Sequence, residues 1–447
     1  MKRFGKFVVA GILILVGLQF VRPSIRSKPA AAEIEAPPQV KQILRDHCYS
    51  CHSDERRLAW FDQIVPAYWL VRHDVLTARE HLNFSTLGAR PPAVQRATLF
   101  EAVNMIQLGA MPLPRFTALH ADARVSPQDL ATLKAYLAPW GPAPAPPSSP
   151  SPLPEPATLA AVKPELNGLP FDPNFEEWRL ISTTDRGDNN TLRFVLGNDA
   201  AFTAARTGNI SPWPDGARFA KVAWWRTTGP DGLVHPGDFV QVELMVKDAS
   251  LYRSTEGWGW GRWRGLELKP YGADARFVTE CTTCHMPVRG DDDVYTLPLT
   301  QVHIAREEVV NHRAAALPTN LPYQPLDWRV ITLFVDGENH TTSVLFGNDT
   351  AMQSVHARGS AAAEVPAYGS GAVLALVTWR QRSDPHWFGA RIPDVPQSIE
   401  FAQVTAVGQP GTYRRFAGSM LTEDSPNQSL RIQRSKLILG LRPAILP

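Results

Sequence analysis

The sequence predicts a multidomain chain: an all-α N-terminal domain followed by two α+β domains built on antiparallel sheets. At 447 residues the chain exceeds what one core holds, because single cores stop growing at about 250–300 residues. A proline-rich run from Gly141 to Pro156 reads as a semi-extended spacer between the N-terminal domain and the rest of the chain. Past that spacer the chain repeats itself. Glu177-Trp178-Arg179-Leu180-Ile181 matches Asp327-Trp328-Arg329-Val330-Ile331, and Leu196-Gly197-Asn198-Asp199 matches Phe346-Gly347-Asn348-Asp349, both offset by 150. Residues 216–224 match 371–379, offset by 155, and Tyr252-Arg253 matches Tyr413-Arg414 weakly. Two copies of one domain are expected, with a small insertion in the second. The boundaries read as an anchor over 1–24, a first domain over 35–140, a linker over 141–163, a second domain over 164–316 and its copy over 325–447.

The N-terminus sets the compartment. Lys2, Arg3 and Lys6 precede an apolar run from Phe7 to Val21, broken only by small residues and Gln19. This is the charged and apolar pair of regions of an export signal. Arg22-Pro23 follows where a small-x-small cleavage site would stand, which favours an uncleaved anchor over a removed signal. The run is short for a full span of about 20 residues. Its basic flank keeps the N-terminus cytoplasmic and sends the rest outward, so a periplasmic protein held at the inner membrane is expected. A formal charge of +2 gives no field for nucleic acid.

Two pentads carry the chemistry: Cys48-Tyr49-Ser50-Cys51-His52 and Cys281-Thr282-Thr283-Cys284-His285. Both are C-x-x-C-H, the attachment signature of c-type haem, in which two thiols bond the haem vinyl groups and the adjacent histidine reaches the iron. One pentad alone also suits a redox dithiol or half a zinc site. Two behind an export signal favour two covalently bound c-type haems, and they use all 4 cysteines. The second copy has none, so it cannot hold such a haem.

Residues 40 to 140 read as helical. Ser126-Pro127-Gln128-Asp129 is a helix start, with Ser as cap and Pro in the first turn, and Leu130, Leu133 and Leu137 follow on one face. A single-haem domain of this kind takes a sixth ligand. Met111, in Gly109-Ala110-Met111-Pro112-Leu113-Pro114, sits on a stiff extended loop that can present a thioether. Met111 is equally a residue type that fills core gaps, and Met105, His73, His81 and His120 are the other candidate ligands. The stretches Cys48 to Glu55, Trp60-Phe61, Pro66 to Trp69 and Arg79 to Ser85, with the anchor's Gln19 to Pro23, resemble the haem-binding domain family of bacterial exported proteins over residues 1 to 140. That resemblance implies an anchored haem domain.

The second domain mixes short strands with one or two helices. Asp199 is expected to cap a helix that runs to Gly208. Val240, Val242, Leu244 and Val246 alternate onto one face of a strand. Gly257 to Trp263 sets bulky aromatics between glycines, as a haem-pocket wall or as an ordinary aromatic core. Alternation from Phe219 to Trp225 puts Lys221 on an apolar face, where the second copy has Leu376. Desolvation there would depress the lysine pKa and free a nucleophilic amine; a lysine that snorkels from a strand edge is the plain alternative.

Phe171 to Asn174, Asn189 to Arg193, Gly197-Asn198-Asp199, Asn209 to Gly216, Val246-Lys247-Asp248 and Leu268 to Tyr271, ahead of Cys281 to His285, resemble the cytochrome P-460 family over residues 165 to 300. The resemblance implies a small antiparallel sheet with helices, a five-coordinate c-type haem on His285 and oxidation of hydroxylamine. It also implies a lysine crosslinked to the haem, matched by Lys221, and a proton-moving distal carboxylate, matched by Glu243. The beta-type cytochromes c-prime share that fold, lack the crosslink and bind nitric oxide. The chain is therefore expected to oxidise hydroxylamine or a related small nitrogen compound at the second haem. Electrons would pass to the first haem and on to an external cytochrome. A nitric oxide or other gas-binding protein and a non-catalytic electron carrier are the alternatives. The copy over 325–447 is expected to cover the second domain as an intramolecular pseudo-dimer of a monomeric chain.

Overall fold

The computed structural model describes residues 2–55, 58–138, 157–299, 315–357, 365–407 and 409–447. They fall into two compact units, Met1–Trp140 and Gly141–Pro447.

The first unit is helical: α1 Lys2–Leu18, α2 Pro38–His47, α3 Tyr49–His52, α4 Ala67–His81, α5 Phe84–Leu87, α6 Pro92–Gln107, α7 Pro114–Thr117 and α8 Pro127–Leu137. Four of these helices open on proline, whose fixed φ suits a first turn and whose missing N–H costs nothing there. The Ser126 hydroxyl caps α8, accepting from the Asp129 N–H at 3.1 Å and donating to its carboxylate at 2.6 Å. Val40, Leu44, Leu99, Val103, Leu133 and Leu137 are buried between α2, α6 and α8. The chain leaving α1 is tied to the domain: the Gln19 amide bonds both the N–H and the C=O of Val65, at 3.0 and 3.1 Å. No described helix is long and apolar enough to cross a membrane.

The second unit is one antiparallel sheet. Its first half is β1 Arg179–Arg186, β2 Thr191–Gly197, α9 Asp199–Thr207, β3 Arg218–Thr228, β4 Val234–Lys247, β5 Trp258–Arg264 and β6 Lys269–Pro270, then α10 Val278–His285. Its second half is β7 Arg329–Asp336, β8 Thr341–Gly347, α11 Asp349–His356, β9 Val373–Ser383, β10 Ala390–Ala406, β11 Gln409–Ala417 and β12 Thr422–Asp424, then α12 Gln428–Leu439. Corresponding positions make corresponding bonds. The Asn198 side chain accepts from the N–H of Ala201 and Arg218 and donates to Gly216. Asn348 does the same with Ala351, Val373 and Gly371. The helix cap is thus Asn198, one residue before the expected Asp199, which instead pairs with Arg179.

The halves are closed on each other. β4 pairs with β7 at Val234 and Val335, and β1 pairs with β10 at Asp185 and Arg391. The first strand of each half meets the fourth of the other, the reciprocal contact of a two-fold interface. Inside lies one apolar core fed by both halves, including Phe194, Val222, Trp224 and Val242 from the first and Phe346, Val377, Trp379 and Ile399 from the second. Trp224 and Trp379 take equivalent places, each with its indole N–H on a backbone carbonyl, of Ile445 and Ala315.

Two further details depart from the sequence reading. A bulge in β4 puts Phe239 rather than Val240 on the core side with Val242 and Leu244, because one extra residue shifts the alternation by one. Tyr413 pairs with Ala402 as Trp260 pairs with Met245, so Tyr413-Arg414 corresponds to Trp260-Gly261 and not to Tyr252-Arg253.

A chain ending at residue 320 would lose half the wall of this core. It should dimerise or aggregate, as read by light scattering after size exclusion; a stable monomer would contradict the shared core.

Candidate functional site

Lys221, Glu243 and Arg262 stand side by side on β3, β4 and β5. Register pairs Lys221 with Glu243 and Glu243 with Arg262, so the three side chains emerge in one row on one face. The Lys221 amine lies 2.5 Å from one Glu243 oxygen and the Arg262 Nε 3.4 Å from the other. Gln241, two residues along β4, donates its amide to the same carboxylate. Arg193 on β2 faces the same side, across from Ala223, with its Nε on the Thr191 hydroxyl at 3.0 Å.

Across from this row lies α10. Cys281 packs against the cluster of Phe219, Trp258, Trp260 and Val294. The His285 ring stands edge-on to Trp260 at 4.5 Å and to Tyr295 at 5.1 Å. Its Nδ1 donates to the Asp293 carbonyl at 2.6 Å, which leaves Nε2 for a metal. The Trp–Gly alternation explains the wall. Trp258 and Trp260 face α10, whereas Gly259 and Gly261 leave room for the rings of Tyr252 and Trp263, which a Cβ would approach within 2.4 and 2.6 Å. Trp263 belongs to the shared core instead.

Burial pushes the Lys221 amine below its usual range despite Glu243 beside it. Burial alone would raise Glu243, but Lys221 and Arg262 hold it well below the carboxylate range. Burial also lowers Arg193 to about 9, with Arg186 adding to the effect. His285 falls to about 4 by burial, so its ring is neutral and able to ligate at neutral pH. Burial raises the Cys281 thiol to about 12. The row thus offers an ionised carboxylate among three cationic groups, which can hold a small polar ligand.

The residues fit a haem. Cys281 and Cys284 are unbridged and lie one helical turn apart, and His285 is pinned through one nitrogen only. The buried indole N–H of Trp260 has no partner among the described residues, as befits a donor beside a group supplied from outside the chain.

The N-terminal pentad is built alike. His52 closes α3 with Nδ1 on the Leu82 carbonyl at 3.1 Å, and burial lowers its pKa. Cys48 borders an apolar cleft lined by Val40, Leu44, Leu99, Val103 and Leu133. Met111 lies half-buried between α6 and α7, its N–H on the Met105 carbonyl at 3.0 Å. His120 engages both nitrogens, on the Phe116 carbonyl and on Asp62, each at 3.0 Å.

In the second half the equivalent face is filled by protein. Leu376 replaces Lys221, and Glu400, opposite it in register, stands where Glu243 does. Arg434 of α12 supplies the cation, at 2.5 and 2.8 Å, and the Tyr413 hydroxyl donates at 2.5 Å. Ile438 completes the seal over Leu345, Leu374 and Leu376. Sequence reasoning missed Arg193, Gln241, Arg262, Tyr295 and the Glu400–Arg434 pair; the period-2 alternation of β2, β4 and β5 marks the first three once register is known.

Glu243→Gln should destabilise the protein by roughly 2–3 kcal/mol. A fully buried pair would lose about 3–5 kcal/mol, but Lys221 keeps 30% exposure. Because the Glu243 pKa is depressed on folding, its contribution is present above the ordinary carboxylate value and lost as pH falls through the depressed one. The gap between wild type and variant in denaturant midpoint should therefore hold at pH 7 and narrow in acid.

Comparison with family models matches residues 13–139 to the haem-binding domain and residues 173–296 to cytochrome P460. No curated protein matches the chain. The pinned histidines, the paired thiols and these two matches agree: this is a haem protein in which a member of the haem-binding domain family is joined to a cytochrome P460 domain.

Proposed function

We propose that the chain carries two covalently bound c-type haems, on Cys48, Cys51 and His52 and on Cys281, Cys284 and His285, and that it oxidises hydroxylamine or a related small nitrogen compound at the second. The observation that carries this reading is the row Lys221–Glu243–Arg262 facing the α10 pentad. Bound haem supplies the redox chemistry and the chain supplies access and electrostatics. Glu243 is the carboxylate placed to accept protons released on oxidation, once a crosslink at Lys221 removes the cation that most depresses its pKa. Arg193 and Arg262 keep the pocket positive, and Lys221 tunes the haem through a crosslink. The first haem relays electrons to an external cytochrome; fusion raises the effective concentration of that relay.

Nitric oxide or other gas binding without turnover is the second reading. It rests on the same pocket, in which Glu243 and Arg262 can hold a small polar ligand without any bond between Lys221 and the haem. Intact mass, absorption spectrum and turnover with an artificial acceptor separate the two.

We further read the second half as a degenerate, haemless copy of the first, serving as an intramolecular pseudo-dimer partner. The shared caps, register and core support that reading. An uncleaved anchor in the inner membrane, with the rest in the periplasm, is supported by α1. Its apolar side chains from Ile12 to Val16 are exposed, Leu18 packs on the domain, Gln19 holds Val65, and the family match begins at residue 13. A helix apolar all round belongs in a core or a bilayer.

Lys221→Leu should keep haem on Cys281 and Cys284, return the spectrum to that of an ordinary high-spin c-type haem and abolish most hydroxylamine oxidation while sparing nitric oxide binding. An uncrosslinked Lys221 in active wild-type protein, seen by peptide mass, would favour the second reading. Met111→Ala should lower the potential of the first haem and open it to carbon monoxide; an unchanged spectrum would place the sixth ligand elsewhere.

A further inference from the structure

The turn between β9 and β10, residues 384–389, belongs to the half that has no cysteine, yet it packs beneath the α10 pentad of the other half. The link is Tyr295. Its hydroxyl donates to the Cys284 carbonyl at 2.7 Å, and its ring stands edge-on to His285 at 5.1 Å. From the opposite half, His386 Nδ1 donates to the Tyr295 carbonyl at 2.9 Å, and the Trp387 ring stands edge-on to Tyr295 at 5.6 Å.

That turn is itself held rigidly. The Trp387 indole N–H donates to the Asp188 carboxylate at 3.1 Å, and the Arg186 guanidinium lies 4.5 Å from the Trp387 ring centre. Arg186 grips Asp188 with two bonds of 2.6 and 2.5 Å, and the Asp188 N–H donates to Gly389 at 3.2 Å. The Asp384 carboxylate accepts from the His386 N–H at 2.8 Å. Burial would raise the Asp188 pKa, but Arg186 pulls it below the usual value, so the clamp is charged at neutral pH. The corresponding turn of the first half, residues 229–233, sends Leu233 onto the apolar cluster of the second. The halves exchange turns across their seam, and one of the two turns reaches the pentad.

His285 takes its ring orientation from Asp293, two residues before Tyr295 in the same segment. A group that fixes Tyr295 therefore fixes the histidine from both its backbone and its ring face, and outer contacts of this kind set ligand orientation and basicity. We propose that His386 and Trp387 are positioning residues for His285, so that the haem site of one half is completed by the half that has none. This rests on the reading that His285 ligates haem.

The test uses full-length holoprotein of the wild type and of Trp387→Ala, Trp387→Phe, His386→Ala and Tyr295→Phe. The readouts are the iron–histidine stretching band by resonance Raman and the midpoint potential of each haem, with intact mass to count haems. Trp387→Ala, His386→Ala and Tyr295→Phe should each shift or broaden the band and move the potential of the second haem, leaving the first unchanged. Trp387→Phe, which keeps an aromatic edge on Tyr295, should stay near wild type. A Trp387→Ala protein with both haems, an unaltered band and an unaltered second potential overturns the proposal. If that variant does not fold, His386→Ala decides, because it removes only the bond to the Tyr295 carbonyl; an unchanged band there overturns the proposal equally. A wild-type mass without haem on Cys281 and Cys284 would defeat the functional reading first, and the brace with it.

Discussion

Everything in the second unit depends on closing two open half-sheets over one apolar interior. Neither half has enough sheet to wrap its own buried face: Trp224, Val242 and Phe194 need Trp379, Ile399 and Phe346 opposite them. Apolar area removed from water stabilises at about 25 cal/mol per Å², and the two central tryptophans are fully buried. The few backbone pairs at the seams, at Val234–Val335 and Asp185–Arg391, set register; the interior supplies the energy. With one face of each half committed inward, the other face is left free to be specialised.

The two outer faces were specialised differently on the same frame. Each has a carboxylate at the same register position, Glu243 half-buried and Glu400 buried, and each neutralises it with a cation. In the first half the cation comes from the neighbouring strand, and the space above stays open to α10 and its thiols. In the second the cation comes from Arg434 on a C-terminal helix whose Ile438 fills that space. A buried carboxylate without a partner costs several kcal/mol, and Arg434 supplies that partner where Leu376 lies opposite Glu400.

The legible parts of the sequence were the local ones. The pentads declare themselves by spacing, the linker by proline content, and the cap at Ser126 by its neighbours. Lys221 was found by alternation within one strand. Arg262 and Gln241 became visible only through cross-strand register, which depends on where β4 bulges; the same bulge moved Phe239 into the place expected for Val240. The pairing of Tyr252 with Tyr413 failed because loop lengths differ between halves, so equal letters there do not mean equal positions. Contacts such as Trp387 with Tyr295 join residues 92 positions apart and leave no periodic signal at all. Closure of the sheet is likewise a property of the assembled chain.

Carrying both halves on one polypeptide alters how the closed sheet responds to dilution. An interface between separate subunits weakens as protein concentration falls, because association is governed by mass action. Here the segment through residues 315–328 makes closure a unimolecular event, so a single molecule released into a large volume keeps its core intact. It also frees the two halves from matching each other: a substitution in a symmetric pair appears twice, whereas in this chain Lys221 pairs with Glu243 and Leu376 stands at the matching register position beside Glu400. A pair of identical subunits has no such freedom, since both copies carry every residue.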